Sequence, residues 1–271
     1  MRVDKYGGTS MAQPQVVLER LQGSDPVVVV VSAPGKDIER AGTYVSGNGD
    51  VKMTDLLFQG DLETAMLRAK EVAGRAGLAP EQMGDILQQF DDWLERYDDS
   101  QAGRVAAGEY FSGLLVAAAT GRMMLDPREL VAIRADQTPE VDVSVAALRR
   151  VIDTRRRYVL PGFYGYDATD VSRIEVLGRG SSDTTGALAA LALRASYYNL
   201  SDVDGVYTAD PRRDPTARRI DNMSYSRMEA LALDGANVLH HEVSAILRGQ
   251  GCETIVASTF GATGQTRIAD S

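Results

Sequence analysis

Arg2-Val3-Asp4-Lys5-Tyr6-Gly7-Gly8-Thr9-Ser10 decides how this chain is read. Arg2–Tyr6 has the character of a short strand and runs into two adjacent glycines. Gln13–Leu21 then spaces its apolar residues as a helix does, and Val27–Ser32 is β-branched up to its serine, as a strand covered on both faces would be. Working outward, the alternation continues. Asp37–Asp50 is polar and glycine-rich, an excursion loop. Thr54 to about Arg75, Pro80–Tyr97 and the alanine-rich Val105–Ala119 read as helices, followed by a strand at Leu130–Ala135. Val143–Ile152 reads as an amphipathic helix with Asp142 as its N-cap, and Tyr158–Phe163 as a strand ending at Pro161-Gly162. Glu175–Leu177 leads into a Gly/Ser loop and a helix at Thr184–Arg194, then a strand at Tyr197–Leu200. Short helices at Ser226–Leu233 and Glu242–Leu247 precede a last strand at Thr254–Ser258. Such alternation predicts an α/β fold with a mainly parallel central sheet and helices on both faces.

Composition narrows the chemistry. The 271 residues carry a formal charge of -9, a surface that repels phosphate backbones, so nucleic acid is not expected as a partner. Cys252 is the lone cysteine, which excludes an intrachain disulfide and a thiolate metal cluster. His240 and His241 are the two histidines, so histidine-based acid–base work has little material. The longest aliphatic run, Val27 to Val31, is far too short to span a bilayer, and Met1 to Lys5 opens no apolar signal region. The expectation is a cytoplasmic protein with no membrane partner.

Three segments can carry chemistry. In Lys5-Tyr6-Gly7-Gly8-Thr9-Ser10, the glycines let backbone N–H groups approach an anion and the lysine supplies a point charge, a phosphate cradle that is not a Walker A loop. Gly178-Arg179-Gly180-Ser181-Ser182-Asp183-Thr184-Thr185 joins a strand to a helix. Arg179 can fork onto a carboxylate, and Asp183 is either a helix cap or a site residue. Ser201-Asp202-Val203-Asp204-Gly205-Val206-Tyr207-Thr208-Ala209-Asp210-Pro211-Arg212 is either an ordinary surface loop or a nucleotide site, with Tyr207 packing on a base and Arg212 reaching phosphates.

Together these segments resemble the aspartokinase branch of the amino acid kinase family. The resemblance extends through Ser32-Ala33-Pro34-Gly35-Lys36, Thr54-Asp55-Leu56-Leu57, Gly108-Glu109-Tyr110-Phe111-Ser112, Gly162 to Gly165 and Gly235 to His240. It implies a three-layer α/β/α sandwich forming one catalytic domain over 1–271. An acceptor-side lobe would cover about 1–180 and a nucleotide-side lobe about 181–271; typical relatives continue into regulatory ACT domains, and here the expectation is a catalytic domain with no regulatory ACT domain. It implies transfer of the ATP γ-phosphoryl, with Mg²⁺, to the side-chain carboxylate of L-aspartate. A related small carboxylate or aspartate analogue is the first alternative acceptor, and a non-catalytic binder on the same fold the second. Lys5 and Asp183 would be catalytic, and Gly7, Gly8 and Lys36 would bind phosphate. Ser32, Thr54, Glu109, Phe163, Arg179 and Ser182 would bind the acceptor, and Ser201, Asp202, Tyr207, Arg212 and Asn237 the nucleotide. No protein metal-ligand cluster is implied, and the family's habit of association implies a homodimer.

Two departures bear on the site. Asn237 stands where relatives carry a phosphate-facing lysine, with Lys36 the candidate to replace that charge and Lys52 in reserve. Asp37–Val51 inserts a polar loop that reads as a surface insertion or as a lid.

Overall fold

The computed structural model of the chain describes residues 1–36, 51–178, 181–209, 214, 216–233, 239, 241–261 and 263–270. The polar segment 37–50 therefore lies outside the described residues, and so do Arg179, Arg212 and Asn237.

In chain order the strands are β1 (Arg2–Tyr6), β2 (Val28–Val31), β3 (Met123–Met124), β4 (Ala132–Ile133), β5 (Tyr158–Pro161), β6 (Tyr164–Asp167) and β7 (Asp170–Val176). They continue with β8 (Ser196–Ser201), β9 (Val206–Tyr207), β10 (Arg219–Ile220), β11 (Asn222–Met223), β12 (Thr254–Ser258) and β13 (Gln265–Ile268). The helices are α1 (Gly8–Met11), α2 (Pro14–Gly23), α3 (Met53–Gln59), α4 (Leu62–Arg75), α5 (Pro80–Arg96), α6 (Gln101–Thr120), α7 (Val141–Val151), α8 (Ser182–Leu193), α9 (Tyr225–Leu233) and α10 (His241–Leu247).

Eight strands form one sheet in the order β11-β13-β12-β8-β1-β2-β5-β3, parallel except where β13 returns beside β12. Side chains alternate along each strand, so the sheet has two apolar faces. Val3, Val28, Val30, Leu160 and Val256 pack with α7, α8 and α10 on one face. Tyr6, Val29, Val31, Val159 and Ile255 pack with α2 to α6 on the other. This is the expected three-layer sandwich with a mainly parallel sheet. A small β4-β6-β7 sheet and a β9-β10 ribbon stand apart from it.

Topology puts a crevice at one place. The chain steps from β1 to β2 on one side, and β8 later pairs with β1 on the other. Where strand order reverses in this way, the loops at the carboxyl ends of the two strands diverge and leave room for a ligand. Those loops begin at Gly7 and Asp202.

The structure corrects four readings. The helix expected from Thr54 to Arg75 is two helices, because Gly60 takes a left-handed φ of +77° and Asp61 then caps the next turn by accepting from the Thr64 N–H at 3.1 Å. Asp142 is not the cap of α7; Glu140 occupies that position without a side-chain hydrogen bond. The strand at Leu130–Ala135 shrinks to Ala132–Ile133, since a short 3₁₀ turn at Pro127–Glu129 takes up the chain before it. Thr254–Ser258 is not the last strand, because β13 follows it. The β6–β7 hairpin was also illegible, since Tyr164–Asp167 and the exposed start of β7 have no apolar run.

One close approach in the small sheet is testable. A Cβ on Gly165 would stand 2.0 Å from the Val131 carbonyl oxygen, a backbone atom that cannot turn aside. Gly165→Ala should therefore destabilise the fold by on the order of 1–3 kcal/mol through overpacking. Urea unfolding should show a lower midpoint with the slope retained; an unmoved midpoint would mean that β6 and residue 131 part without cost.

Candidate active site

Lys5 is the penultimate residue of β1 and leans back over the turn that follows it. Its ammonium lies 2.6 Å from Asp183 Oδ1, and the two side chains are only 10% and 8% exposed. Asp183 sits in the first turn of α8, whose N-cap is Ser181. The cap reading of Asp183 is thus set aside: its carboxylate is spent on Lys5. A Cβ placed on Gly7 would be 3.7 Å from the Lys5 ammonium, so the charge hangs directly above the glycine turn.

Two loops lock around that turn. The Gly35 N–H donates to the Gly8 carbonyl at 2.7 Å, and the Gly7 N–H donates to Leu200 at 2.9 Å. A Cβ on Gly8 would meet the Ala33 oxygen at 2.9 Å, and one on Gly35 would meet the Gly8 carbonyl carbon at 2.7 Å. Both positions must lack side chains for the loops after β1 and β2 to touch. Beneath them Arg68 is fully buried and donates to the Gly35 carbonyl at 3.1 Å. The sequence hid that anchor, because Arg68 falls on the buried stripe of α4 among Ala65, Ala69 and Val72.

The acceptor-side candidates gather on the same rim. Ser32 begins the loop after β2 and is half-buried; Lys36 lies further along the same loop. The Met53 N–H donates to the Pro34 carbonyl at 3.0 Å, which brings the half-buried Thr54 to that loop. Gly108 lets α6 press against Ala33, whose Cβ would be 2.6 Å from a side chain at 108. The next residue, Glu109, is buried, and its Oε2 has no hydrogen-bond partner. Burial pushes its carboxyl up to about 8, against the opposing pull of the Ala33 backbone N–H and the Lys5 charge. Phe163 holds a left-handed φ of +74° and donates its N–H to Thr185 Oγ1 at 3.2 Å. A Cβ on Gly162 would meet that of Ser182 at 2.7 Å, so the loop after β5 lies flush on the start of α8.

The nucleotide-side candidates divide. Ser201 and Asp202, both half-buried, end β8 beside Gly7. Tyr207 lies in the β9-β10 ribbon, its hydroxyl donating to Asp204 Oδ1 at 2.8 Å, while Asp204 pairs with Arg219 at 3.1 Å. The structure thus brings Lys5, Gly7, Gly8, Ser32, Thr54, Glu109, Phe163, Ser182, Asp183, Ser201 and Asp202 to the carboxyl edge of the central strands. Tyr207 stands on the adjoining ribbon.

Residues 1–258 match the sequence profile of the Amino acid kinase family. The chain belongs to that family. It is 33% identical over 246 residues to the aspartokinase of Corynebacterium glutamicum, an alignment covering 88% of this chain and 49% of that protein. The chain spans about half the length of such curated relatives. In fold it is similar to Clostridium acetobutylicum aspartate kinase, with a TM-score of 0.83 at 24% identity over 100% of this chain and 63% of the other. It is also similar to E. coli aspartokinase III in complex with aspartate and ADP, with a TM-score of 0.79 at 22% identity over 100% and 65%. Among the described residues no helix is long and apolar enough to cross a membrane.

The raised carboxyl of Glu109 has a stability consequence with a definite sign. Below about pH 4.5 the residue is protonated in both the folded and the unfolded chain and is neutral to stability. Between about 4.5 and about 8 the unfolded chain ionises while the buried carboxyl holds its proton, so stability falls as pH rises. Glu109→Gln should remove that slope. Urea midpoints of parent and variant at pH 5 and pH 8 should converge at the lower pH and separate at the higher, with the variant the more stable. Parallel pH profiles would place an ionised, compensated Glu109 in the free protein.

Proposed function

We propose that this chain catalyses ATP-dependent phosphorylation of the side-chain carboxylate of L-aspartate, giving 4-phospho-L-aspartate and ADP. The observation that carries the reading is the buried Lys5–Asp183 pair set over a side-chain-free glycine turn at the strand-order reversal. A partner-bound lysine above a turn without side chains suits a phosphoryl group. The structural neighbour with aspartate and ADP bound supports both substrate classes.

The chemistry fits the residues. A carboxylate is already a nucleophile at neutral pH and needs no general base. Its oxygen attacks the γ-phosphorus, an O–P bond forms as the bond to the β-phosphate oxygen breaks, and ADP carries the electron pair away. Catalysis is then positioning and charge neutralisation. Lys5 meets the charge of the transferring group, helped by the Gly7 and Gly8 backbone and by Lys36. Ser32, Thr54, Glu109, Phe163, Arg179 and Ser182 hold the acceptor. Glu109 faces the substrate ammonium and gives up its proton on pairing, while Arg179 forks onto a carboxylate. Ser201, Asp202, Tyr207, Arg212 and Asn237 hold the nucleotide. This assigns residues to about 180 to the acceptor and the remainder to the nucleotide.

Mg²⁺ fits this donor set. The ion keeps several waters and takes one or two carboxylates beside substrate phosphates. Among the described residues no group of three or more His, Cys, Asp or Glu could hold a metal by itself. Asp202 at the crevice would share it with the nucleotide, Asp183 being engaged by Lys5, and bound there it would neutralise β- and γ-oxygen charge. The protein is proposed to work as a cytoplasmic homodimer.

Hydroxylamine trapping of acyl phosphate, with an acceptor panel beside aspartate, tests the reading; a stronger response to another carboxylate would reassign the acceptor. Lys5→Ala should lower turnover by about 10²–10³, the scale of one preorganised oxyanion donor. Activity within a few-fold of the parent would remove Lys5 from the mechanism. Arg179→Lys should raise the aspartate KM far more than the ATP KM, because a point charge cannot copy a bidentate fork. The reverse pattern would move Arg179 to the nucleotide.

A further inference from the structure

We infer that Tyr197 and Asn199 of β8 are positioning residues for phosphoryl transfer, each standing ready to hold one partner of the Lys5–Asp183 pair when that pair opens. The inference rests on the phosphoryl-transfer reading above and extends it to the strand beneath the site.

In the parallel register Val3 lies beside Tyr197 and Lys5 beside Asn199. Val3 and Tyr197 belong to the core under α8, so Lys5 and Asn199, two residues on, point to that same face. This face is mostly apolar, and its buried Thr254 beside Tyr197 is hydrogen-bonded to the Tyr225 hydroxyl, yet Tyr197 and Asn199 put two polar side chains on it in succession. Tyr197 is fully buried and Asn199 is 2% exposed. Neither the Tyr197 hydroxyl nor the Asn199 Oδ1 makes a hydrogen bond of normal geometry. A buried polar group left without a partner is costly and rare, and two adjacent ones under an ion pair need a reason.

Their chemical types supply it. The hydroxyl has a proton to donate, and the amide oxygen is an acceptor. Asp183 accepts and Lys5 donates. Tyr197 passes beneath α8 at Gly186, where an added Cβ would meet the ring at 2.5 Å and the hydroxyl oxygen at 3.1 Å. Gly186 lies three residues after Asp183, on the same side of the helix. The hydroxyl therefore stands under the Asp183 carboxylate, and burial, the carboxylate charge and a weak hydrogen bond to it push the phenol well above its ordinary range. Asn199 is flanked by Lys5 on β1 and by Val256 on β12, so Lys5 is the neighbouring side chain across the sheet that can donate to it.

In the free protein Lys5 and Asp183 satisfy each other at 2.6 Å. To meet a phosphoryl group the ammonium must loosen from the carboxylate, which would leave a buried anion short of a donor. Tyr197 donates to the carboxylate at that moment, and Asn199 accepts one ammonium hydrogen so that Lys5 turns without losing its place. Other charged groups near the pair have different work: Glu109 binds the acceptor, and Glu242 of α10 accepts from Thr184 Oγ1 at 2.7 Å.

The test compares Tyr197→Phe, Asn199→Leu and the parent as full chains. Labelling of Lys5 by an amine-reactive reagent at one fixed pH, quantified by mass spectrometry, requires no substrate. Asn199→Leu should speed labelling several-fold, because the ammonium loses an acceptor. Tyr197→Phe should slow it, because Asp183 then leans more heavily on Lys5. In turnover, Tyr197→Phe should lower kcat about 10-fold, the scale of an outer supporting partner, with both KM values within about twofold of the parent. Its thermal midpoint should stay close to the parent's, since the hydroxyl removed makes no hydrogen bond of normal geometry in the free protein. Asn199→Asp, which keeps an acceptor oxygen, should label no faster than the parent. Labelling that is unchanged in both variants overturns the inference, and so does a kcat loss accompanied by a matching loss of thermal midpoint. A parent that phosphorylates no aspartate defeats the acceptor reading instead, while the opposed labelling shifts still decide the roles of Tyr197 and Asn199.

Discussion

The salt bridge between Lys5 and Asp183 is the constraint on which the rest of the site depends. Both side chains are nine-tenths or more buried, and either charge alone in that position would be strongly unfavourable. The pair holds only if residue 5, at the end of the first strand, meets residue 183, at the start of a helix that follows some 175 residues of intervening chain. The sheet order accomplishes this. β8 pairs with β1 on the side opposite β2, so α8, which precedes β8, crosses over β1 and presents its first turn to Lys5. The ion pair and the strand reversal that opens the crevice are therefore one fact of topology seen at two scales.

Around this pair the protein trades side chains for backbone. Gly8 and Gly35 meet at a distance that excludes any Cβ, Gly108 lets α6 touch Ala33, and Gly162 lets the loop after β5 lie on Ser182. Each contact draws another loop onto the crevice rim, so the loops meet backbone to backbone without long side chains between them. Phe163 holds a left-handed backbone that only Gly, Asn and Asp adopt readily, and its N–H is fixed by Thr185 from the second turn's edge of α8. Strain retained at such a point fits a residue placed for a ligand.

Much of this was legible beforehand, for identifiable reasons. Strands buried on both faces, such as Val28–Val31, announce themselves by unbroken β-branched residues, and glycine turns after strands mark where backbone approaches an anion. The β6–β7 hairpin and β13 were not legible, because their exposed residues lack an apolar run. The break at Gly60 was visible as a glycine, yet apolar spacing on both sides argued for continuity. Within the site, Lys5, Glu109 and Asp183 could be named from motifs, but not the distance between Lys5 and Asp183. Arg68, Tyr197 and Asn199 were invisible. A buried arginine beneath a loop, and an asparagine in a core strand, look from sequence like any surface arginine and any strand residue.

The placement of costly groups argues for catalysis over passive binding. Glu109 holds a carboxyl that burial drives toward neutrality, Asp183 and Lys5 are a desolvated pair, and Tyr197 and Asn199 bury polar atoms without full compensation. Lys5, Asn199, Glu109 and Asp183 lie toward the carboxyl ends of the central strands and on the helices above them, and Tyr197 reaches the pair from below, under Gly186. The two faces elsewhere are occupied by Val, Leu, Ile and Ala, as stability alone would favour. A binder needs shape and a few hydrogen bonds; it gains nothing from a cation already neutralised by its own aspartate. A phosphoryl-transfer site does gain, because a charge held in reserve can be released toward the reacting group at the point in the reaction where negative charge must be moved.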